Sequence, residues 1–73
     1  MLALVTGATG FVGANIVETL NQAGWQVRAL HRRTSTLAAL DGLEYEPALG
    51  DVLEPDSLRA AMRGCDAVFH SAG

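Results

Sequence analysis

Lysine is missing from this chain of 73 residues: its five basic side chains are all arginines, and eight acidic residues bring the net charge to −3. Nucleic-acid binding rests on a basic surface, so this charge argues against it as a general function. Cysteine is scarce too, because Cys65 stands alone, which excludes an internal disulfide, and no metal-ligand spacing occurs. A chain this short without such a staple buries a small core, so we expect a partner or further chain segments to complete it.

Long apolar runs are also missing. No stretch approaches the roughly 18 consecutive apolar residues that cross a bilayer, so we expect no membrane contact. The first apolar segment begins at Leu2, which leaves no room for a secretory leader. Together with the lone thiol of Cys65, which suits a reducing compartment, this predicts a cytoplasmic protein.

Small and apolar residues are abundant, and their spacing alternates between strand and helix. The pattern predicts strands over residues 2–5, 26–31, 43–49 and 66–70, and helices over 11–23, 35–40 and 55–63. Three helical crossovers between four strands require an α/β fold, βαβαβαβ, with a parallel sheet and right-handed connections. Pro47 cannot donate to a central ladder, so the third strand should lie at an edge, as it does in the order 3-2-1-4.

The junction of the first strand and first helix carries the motif TGATGFVG, from Thr6 to Gly13. Its three glycines allow a positive φ in the turn, a close approach of the backbone to an anion, and tight packing of the helix on the strand. The free N–H groups of Phe11 and Val12 then offer donors to phosphate oxygens. We expect both side chains in the core, or, for Phe11, over the site. The motif predicts a dinucleotide-binding site, and the alternative is an ordinary strand-to-helix turn.

The end of the second strand indicates which dinucleotide would bind. NAD-specific enzymes place an acid there, about 20 residues beyond the glycines, to accept hydrogen bonds from the adenosine ribose. This chain has His31 and Arg32 instead, followed by Arg33 and hydroxyl residues, which suit a 2′-phosphate. The sequence therefore favours NADP(H), with NAD as the second choice. The alternative for the two arginines is a solvated basic pair.

Four landmarks, TGATGFVG at 6–13, VRALHR at 27–32, GDV at 50–52 and GCDAVFHSA at 64–72, follow one another along the chain. In this order they resemble the extended short-chain dehydrogenase/reductases, or NAD-dependent epimerase/dehydratase family, and within it the branch of dihydroflavonol reductases and hydroxysteroid dehydrogenases. The resemblance covers the entire chain. It implies a Rossmann-type fold and a nicotinamide dinucleotide as cofactor.

The resemblance also implies roles for residues after the third and fourth strands. Asp51 would accept from the adenine amino group and Val52 would support the ring, whereas the alternative is that Asp51 only caps the following turn or helix. Ser71 and Ala72 would lie along the cofactor path, and Ser71 has no base with which to act as a nucleophile. No catalytic or metal-binding residue is predicted, and the predicted cofactor-binding residues are Gly7, Thr9, Gly10, Phe11, Val12, Gly13, His31, Arg32, Arg33, Asp51, Val52, Ser71 and Ala72.

The reaction of this family uses a Tyr-x-x-x-Lys pair, which this chain lacks, because Leu49 stands four positions after Tyr45 and there is no lysine. We therefore expect residues 1–73 to be the N-terminal part of an NAD(P)-binding domain that is inactive alone. Its parent would be an NADP(H)-dependent reductase, epimerase or dehydratase acting on a hydroxyl/carbonyl or nucleotide-sugar-like small-molecule substrate. The alternative is a non-catalytic NAD(P)-sensing regulatory protein. The unpaired flank of the fourth strand favours self-association or pairing with further chain segments.

Overall fold

Four short strands form one parallel sheet, as the sequence predicts. The computed structural model describes residues 1–71, so Ala72 lies outside the described residues. The elements are β1 Leu2–Thr6, α1 Phe11–Gln22, β2 Gln26–His31, β3 Glu46–Leu49, α2 Pro55–Met62 and β4 Ala67–His70. The sheet has the order β3-β2-β1-β4, and each neighbouring pair is parallel.

The central strand β1 is buried on both faces, which explains its uninterrupted apolar run. Ala3 and Val5 belong to the core beneath α1, whereas Leu4 belongs to a smaller core beneath α2. All three side chains are fully buried. Neither helix of the described residues has the length and apolarity that a membrane crossing requires.

The second crossover differs from the prediction. In place of a helix over 35–40, the chain forms a short 3₁₀ helix, Ala38–Leu40. Leu37 and Leu40 both pack against the core beneath α1, and their spacing of three matches the 3₁₀ repeat, in which such side chains eclipse. Ser35 does not cap this helix, because its hydroxyl accepts the N–H of Arg32 at 3.1 Å in the preceding turn.

The third strand lies at the edge of the sheet, so the position expected from Pro47 is confirmed. The strand is shorter than predicted: it begins at Glu46, while Leu43 and Tyr45 reach the core from the preceding loop. These two apolar side chains are buried although their backbone does not belong to the strand. The apolar pattern does not distinguish the two cases, so it predicts a strand that begins too early.

Arg28 ties three elements together. From β2, its Nε donates to Glu46 Oε1 on β3 at 3.0 Å, and its Nη1 donates to the carbonyls of Ala61 and Arg63 at 2.7 and 2.8 Å. These carbonyls lie at the end of α2, where a helix leaves its last acceptors unpaired and favours a cation. With its side chain 16% exposed, Arg28 acts as the C-terminal cap of α2.

Replacing Arg28 with alanine should destabilise the fold, because it strips donors from two carbonyls and a carboxylate. We expect a loss of about 2 kcal/mol in the free energy of unfolding, measured by denaturant titration, since hydrogen bonds to charged groups contribute about 1.5–3 kcal/mol each and water replaces part of them. The free energy of unfolding of Arg28→Lys should lie between those of wild type and Arg28→Ala, because lysine keeps the charge but not the planar guanidinium group.

Arg59→Ala is the matched control, because Arg59 pairs with Asp56 on the surface of α2 with both side chains largely exposed. Its effect should stay within about 0.5 kcal/mol. Equal stabilities for the Arg28→Ala and Arg59→Ala variants would contradict the capping role.

Candidate functional site

Two glycines of the loop between β1 and α1 are required by packing. Gly7 has φ +67°, and a Cβ there would fall on the carbonyl oxygen of Ser71. A Cβ at Gly13 would overlap the carbonyl oxygen of Gly7 and come within 2.7 Å of the Ala8 Cα. These glycines therefore let the end of β1, the end of β4 and the start of α1 meet at one point.

Gly10 differs from the other two. It precedes α1 with an extended backbone, φ −87° and ψ 170°, which any residue adopts. A Cβ there would have Gly7 O at 3.5 Å as its nearest neighbour, an ordinary contact. The fold itself does not require glycine at this position. The effect of having glycine here is that the space in front of the helix stays open. A dinucleotide's diphosphate needs that space to approach the backbone.

The start of α1 offers hydrogen-bond donors. Gly10 makes no side-chain capping bond, and the first N–H to reach a carbonyl in the helical pattern is that of Ala14, at 2.9 Å from Gly10 O. Within residues 1–71, the N–H groups of Phe11 and Val12 have no backbone partner. These donors and the positive end of the helix dipole fit phosphate oxygens.

The prediction that the side chains of Phe11 and Val12 lie in the core is wrong. They are 84% and 58% exposed. The buried stripe of α1 runs through Gly13, Val17 and Leu20, and its spacing leaves the first two helical residues on the solvent side.

A cleft of about 450 Å³ lies at the carboxyl edge of the sheet, next to the glycine loop. In an open α/β sheet, ligands bind at this edge where the strand order reverses, which here is between β1 and β4. Of the predicted residues, those that line the cleft are Gly7, Thr9, Gly10, His31, Arg32, Asp51, Val52 and Ser71. Phe11, Val12, Gly13 and Arg33 are not among its lining residues, and Leu30, Ser35, Gly50, Leu53 and His70 join it without having been predicted as site residues.

A tight turn follows β2 at the cleft. The Arg32 N–H donates to Ser35 Oγ and the Ser35 N–H donates back to Arg32 O, both at 3.1 Å. The ion pairs found among residues 1–71 use Arg28 and Arg59, so the Arg32 guanidinium is not neutralised by a carboxylate there. Arg33 is exposed outside the cleft lining.

Asp51 has a structural role of its own. Its Oδ1 accepts the N–H of Leu53 at 2.9 Å, and its carbonyl accepts the N–H of Glu54 at 2.9 Å. Both bonds close the turn before α2, and the Ser57 hydroxyl accepts the Asp51 N–H at 3.0 Å. Asp51 thus caps this turn, which is the alternative role that the sequence analysis left open. Its Oδ2 takes part in none of the bonds named here.

The end of β4 is fixed to the end of β1 by a pair that the sequence analysis missed. The hydroxyl of Thr6, which is 2% exposed, shares a hydrogen bond with His70 Nδ1, and the Ser71 N–H donates to Thr6 O at 3.1 Å. Thr6 and His70 stand opposite each other in the ladder. The signal was their shared place as last residues of neighbouring strands, which becomes visible only once the register is known.

Comparison with known proteins gives a family and several relatives. Residues 7–73 match a family model described as NAD(P)H-binding. The chain is 50% identical over 72 residues to sterol demethylase protein B of Methylococcus capsulatus, covering 99% of this chain and 22% of that protein. It is 46% identical over 69 residues to a 3 beta-hydroxysteroid dehydrogenase/Delta 5→4-isomerase of Mycobacterium tuberculosis, covering 94% and 18%.

Among solved structures, vestitone reductase from alfalfa superimposes with a TM-score of 0.84 at 32% identity, covering 99% of this chain and 25% of that one. The chain thus spans about a fifth to a quarter of the length of these relatives. The family model, the relatives and the strand order agree with one another, and the chain belongs to the NAD(P)H-binding family, among the extended short-chain dehydrogenase/reductases and epimerases.

Proposed function

We propose that this chain is the cofactor-binding part of an NADP(H)-dependent enzyme that acts on a hydroxyl or carbonyl group of a small molecule. The relatives described above are a demethylase component, a dehydrogenase/isomerase and a reductase by name, which favours an enzyme over a non-catalytic sensor. A nicotinamide dinucleotide held in the cleft would supply hydride transfer. The residues of this chain bind and orient the dinucleotide.

The proton-transfer residues are proposed to lie outside these 73 residues. The sequence holds no lysine and one tyrosine, so no Tyr-x-x-x-Lys pair is present. The matched region covers 22% and 18% of the length of these two relatives, which leaves ample chain for the residues of the reaction. We expect the chain alone to bind the reduced cofactor without oxidising it, which absorbance of the reduced nicotinamide would report.

The preference for NADP(H) rests on one observation: Arg32 lines the cleft without an ion-pair partner among residues 1–71. No carboxylate stands at the end of β2, where NAD-specific enzymes hold the ribose hydroxyls. A guanidinium holds a phosphate through two parallel hydrogen bonds, and the turn closed by Ser35 keeps the Arg32 backbone in place.

Replacing Arg32 with alanine should weaken NADPH binding far more than NADH binding. Loss of charged hydrogen bonds contributing about 1.5–3 kcal/mol corresponds to an increase in Kd of roughly tenfold to a hundredfold for NADPH. Calorimetric titration with each cofactor measures both constants. Arg59→Ala removes the same charge from the surface of α2 and should change neither. Equal losses for the two cofactors in Arg32→Ala would refute the assignment.

Gly10 and Gly13 should separate cofactor binding from folding. Gly10→Ala meets no close contact in the folded chain, so its unfolding free energy should stay within about 1 kcal/mol of wild type. Its NADPH affinity should fall about tenfold or more, because the new methyl stands where the diphosphate approaches.

Gly13→Ala should lower the stability of the fold, unlike Gly10→Ala. Its methyl overlaps backbone atoms of Gly7 and Ala8, which cannot move like a side chain, so the unfolding free energy should drop by about 2 kcal/mol or more. Denaturant titration of both variants measures the difference. Full NADPH affinity in Gly10→Ala would show that the diphosphate binds elsewhere.

A further inference from the structure

A second cavity, of about 420 Å³, lies at the amino edge of the sheet, at the opposite end of the strands from the cleft beside the glycine loop. Its lining includes the first residues of β1, β2 and β3 and two residues from the C-terminal end of α1. Within residues 1–71, no residue lines both this amino-edge cavity and the cleft. Its volume falls in the range of about 300–1,000 Å³ that is typical of small-ligand sites.

Two aromatic side chains line the amino-edge cavity. They are Trp25 and Tyr45, the only tryptophan and the only tyrosine of the chain. Both are half-buried and pack against the core beneath α1. Trp25 also meets the ring of Phe69 edge to face, with 6.3 Å between the ring centroids. The fold therefore holds both rings in place beside the cavity, and the face of an aromatic ring attracts a cation.

The charged side chains that line the amino-edge cavity are both acidic. Glu44 and Glu46 line it, and within residues 1–71 no arginine or histidine does. Glu46 Oε1 pairs with Arg28 at 3.0 Å, whereas the ion pairs found in this part of the chain do not include Glu44. The Asn21 side chain holds the Glu44 backbone from both sides, since it donates to Glu44 O at 2.9 Å and accepts the Glu44 N–H at 2.8 Å.

The C-terminal end of α1 adds negative potential to the same cavity. Asn21 and Gly24, at this end of the helix, are lining residues. The last turn of α1 carries no basic residue, whereas Arg28 donates to the last carbonyls of α2. The negative end of a helix dipole favours a cation. At α2 the chain supplies that cation itself, and at α1 it leaves the position beside the amino-edge cavity without one in residues 1–71.

We propose that the amino-edge cavity binds an organic cation, an ammonium or guanidinium group on an apolar stem. The rings of Trp25 and Tyr45 contact the stem and the face of the cation, and the Glu44 carboxylate neutralises its charge. A hard metal ion fits less well, because Ca²⁺ and Mg²⁺ take six or more oxygen ligands and the aromatic side of the cavity offers few. This site is separate from the proposed cofactor site and does not depend on it.

Trp25 reports binding directly, because its fluorescence is that of the chain's single tryptophan. Titration of the chain with butylguanidinium, without cofactor, should give a saturable change with a Kd of about millimolar, as expected for one charge and a short stem. Butylurea has nearly the same shape without the charge and should bind at least about tenfold more weakly. Equal affinities for the two probes, or no saturable change with butylguanidinium, would overturn the proposal.

Glu44→Gln tests the carboxylate. The side chain is exposed and the bonds to Asn21 use the Glu44 backbone, so thermal unfolding should be unchanged. The Kd for butylguanidinium should rise about two- to fivefold. Glu18→Gln is the matched control, because Glu18 is exposed on α1 and is not a lining residue, so its Kd should equal that of wild type. Equal Kd values for the two variants would contradict a specific site and leave general attraction to an acidic surface.

Tyr45→Leu and Tyr45→Phe test the aromatic wall. Phenylalanine keeps the ring, so butylguanidinium should bind as it does to wild type. Leucine keeps an apolar side chain without the ring, so the Kd should rise about two- to fivefold. Equal binding by the leucine and phenylalanine variants, both shown to be folded by thermal unfolding, would refute the contact with the ring.

The same chemistry comes from a small free cation or from an arginine side chain of another protein. The blocked tripeptide acetyl-glycyl-arginyl-glycinamide separates the two sources. A tripeptide that binds at least as tightly as butylguanidinium supports the cavity as a site for a protein side chain. A tripeptide that binds about tenfold more weakly supports a free cation, because the flanking backbone is then excluded. A saturable response to neither probe overturns the cation site itself, while NADPH affinity tests the cofactor site independently.

Discussion

The structure depends on a contact between three backbone segments that leaves no room for a side chain. Gly7 lies against the carbonyl of Ser71, and Gly13 lies against the carbonyl of Gly7. The Ser71 N–H bonded to Thr6 O holds β4 at the same point. Because the protein interior is close-packed, none of these segments can shift without the others. The start of α1, whose first donors have no backbone partner within residues 1–71, is thereby fixed at the carboxyl edge where the cleft opens.

Much of this architecture could be predicted from the sequence because local signals agree with the global fold. The glycine spacing marks the first junction, where Gly7 has φ +67°, and Pro47 marks the edge. The prediction failed over 35–40, where the structure forms a short 3₁₀ helix, and at the start of the third strand, which begins at Glu46. It also failed at Phe11 and Val12, whose side chains are exposed.

The site was less predictable because its details depend on contacts between distant residues. The cap of α2 by Arg28 joins residues 33 and 35 positions apart, and the Thr6–His70 bond joins residues 64 apart. The turn at Asp51 is local, yet the sequence does not decide between a capping role and a contact with the cofactor. An Asp that precedes a helix beginning with proline can have either role. Leu53 carried no signal, because an exposed leucine in a loop is ordinary until the cleft beside it is known.

An acidic chain that binds an anionic dinucleotide presents an electrostatic problem, which the parallel sheet reduces by placing some of the carboxylates at the opposite edge from the cleft. Of the eight acidic residues, Glu44, Glu46 and Asp66 stand at or before the starts of β3 and β4, on the amino edge, whereas the cleft lies at the carboxyl edge. Asp51, Glu54 and Asp56 follow β3 instead, in the turn before α2 and at its start. The five residues of β1 separate these edges by about 16 Å, at roughly 3.3 Å per residue. That exceeds the screening length of about 8 Å at physiological salt, so the distant carboxylates contribute little at the cleft. What a phosphate meets is set by its neighbours: Arg32, the start of α1, and Asp51, whose Oδ1 is already engaged by the Leu53 N–H. The net charge of −3 is therefore compatible with anion binding at one edge.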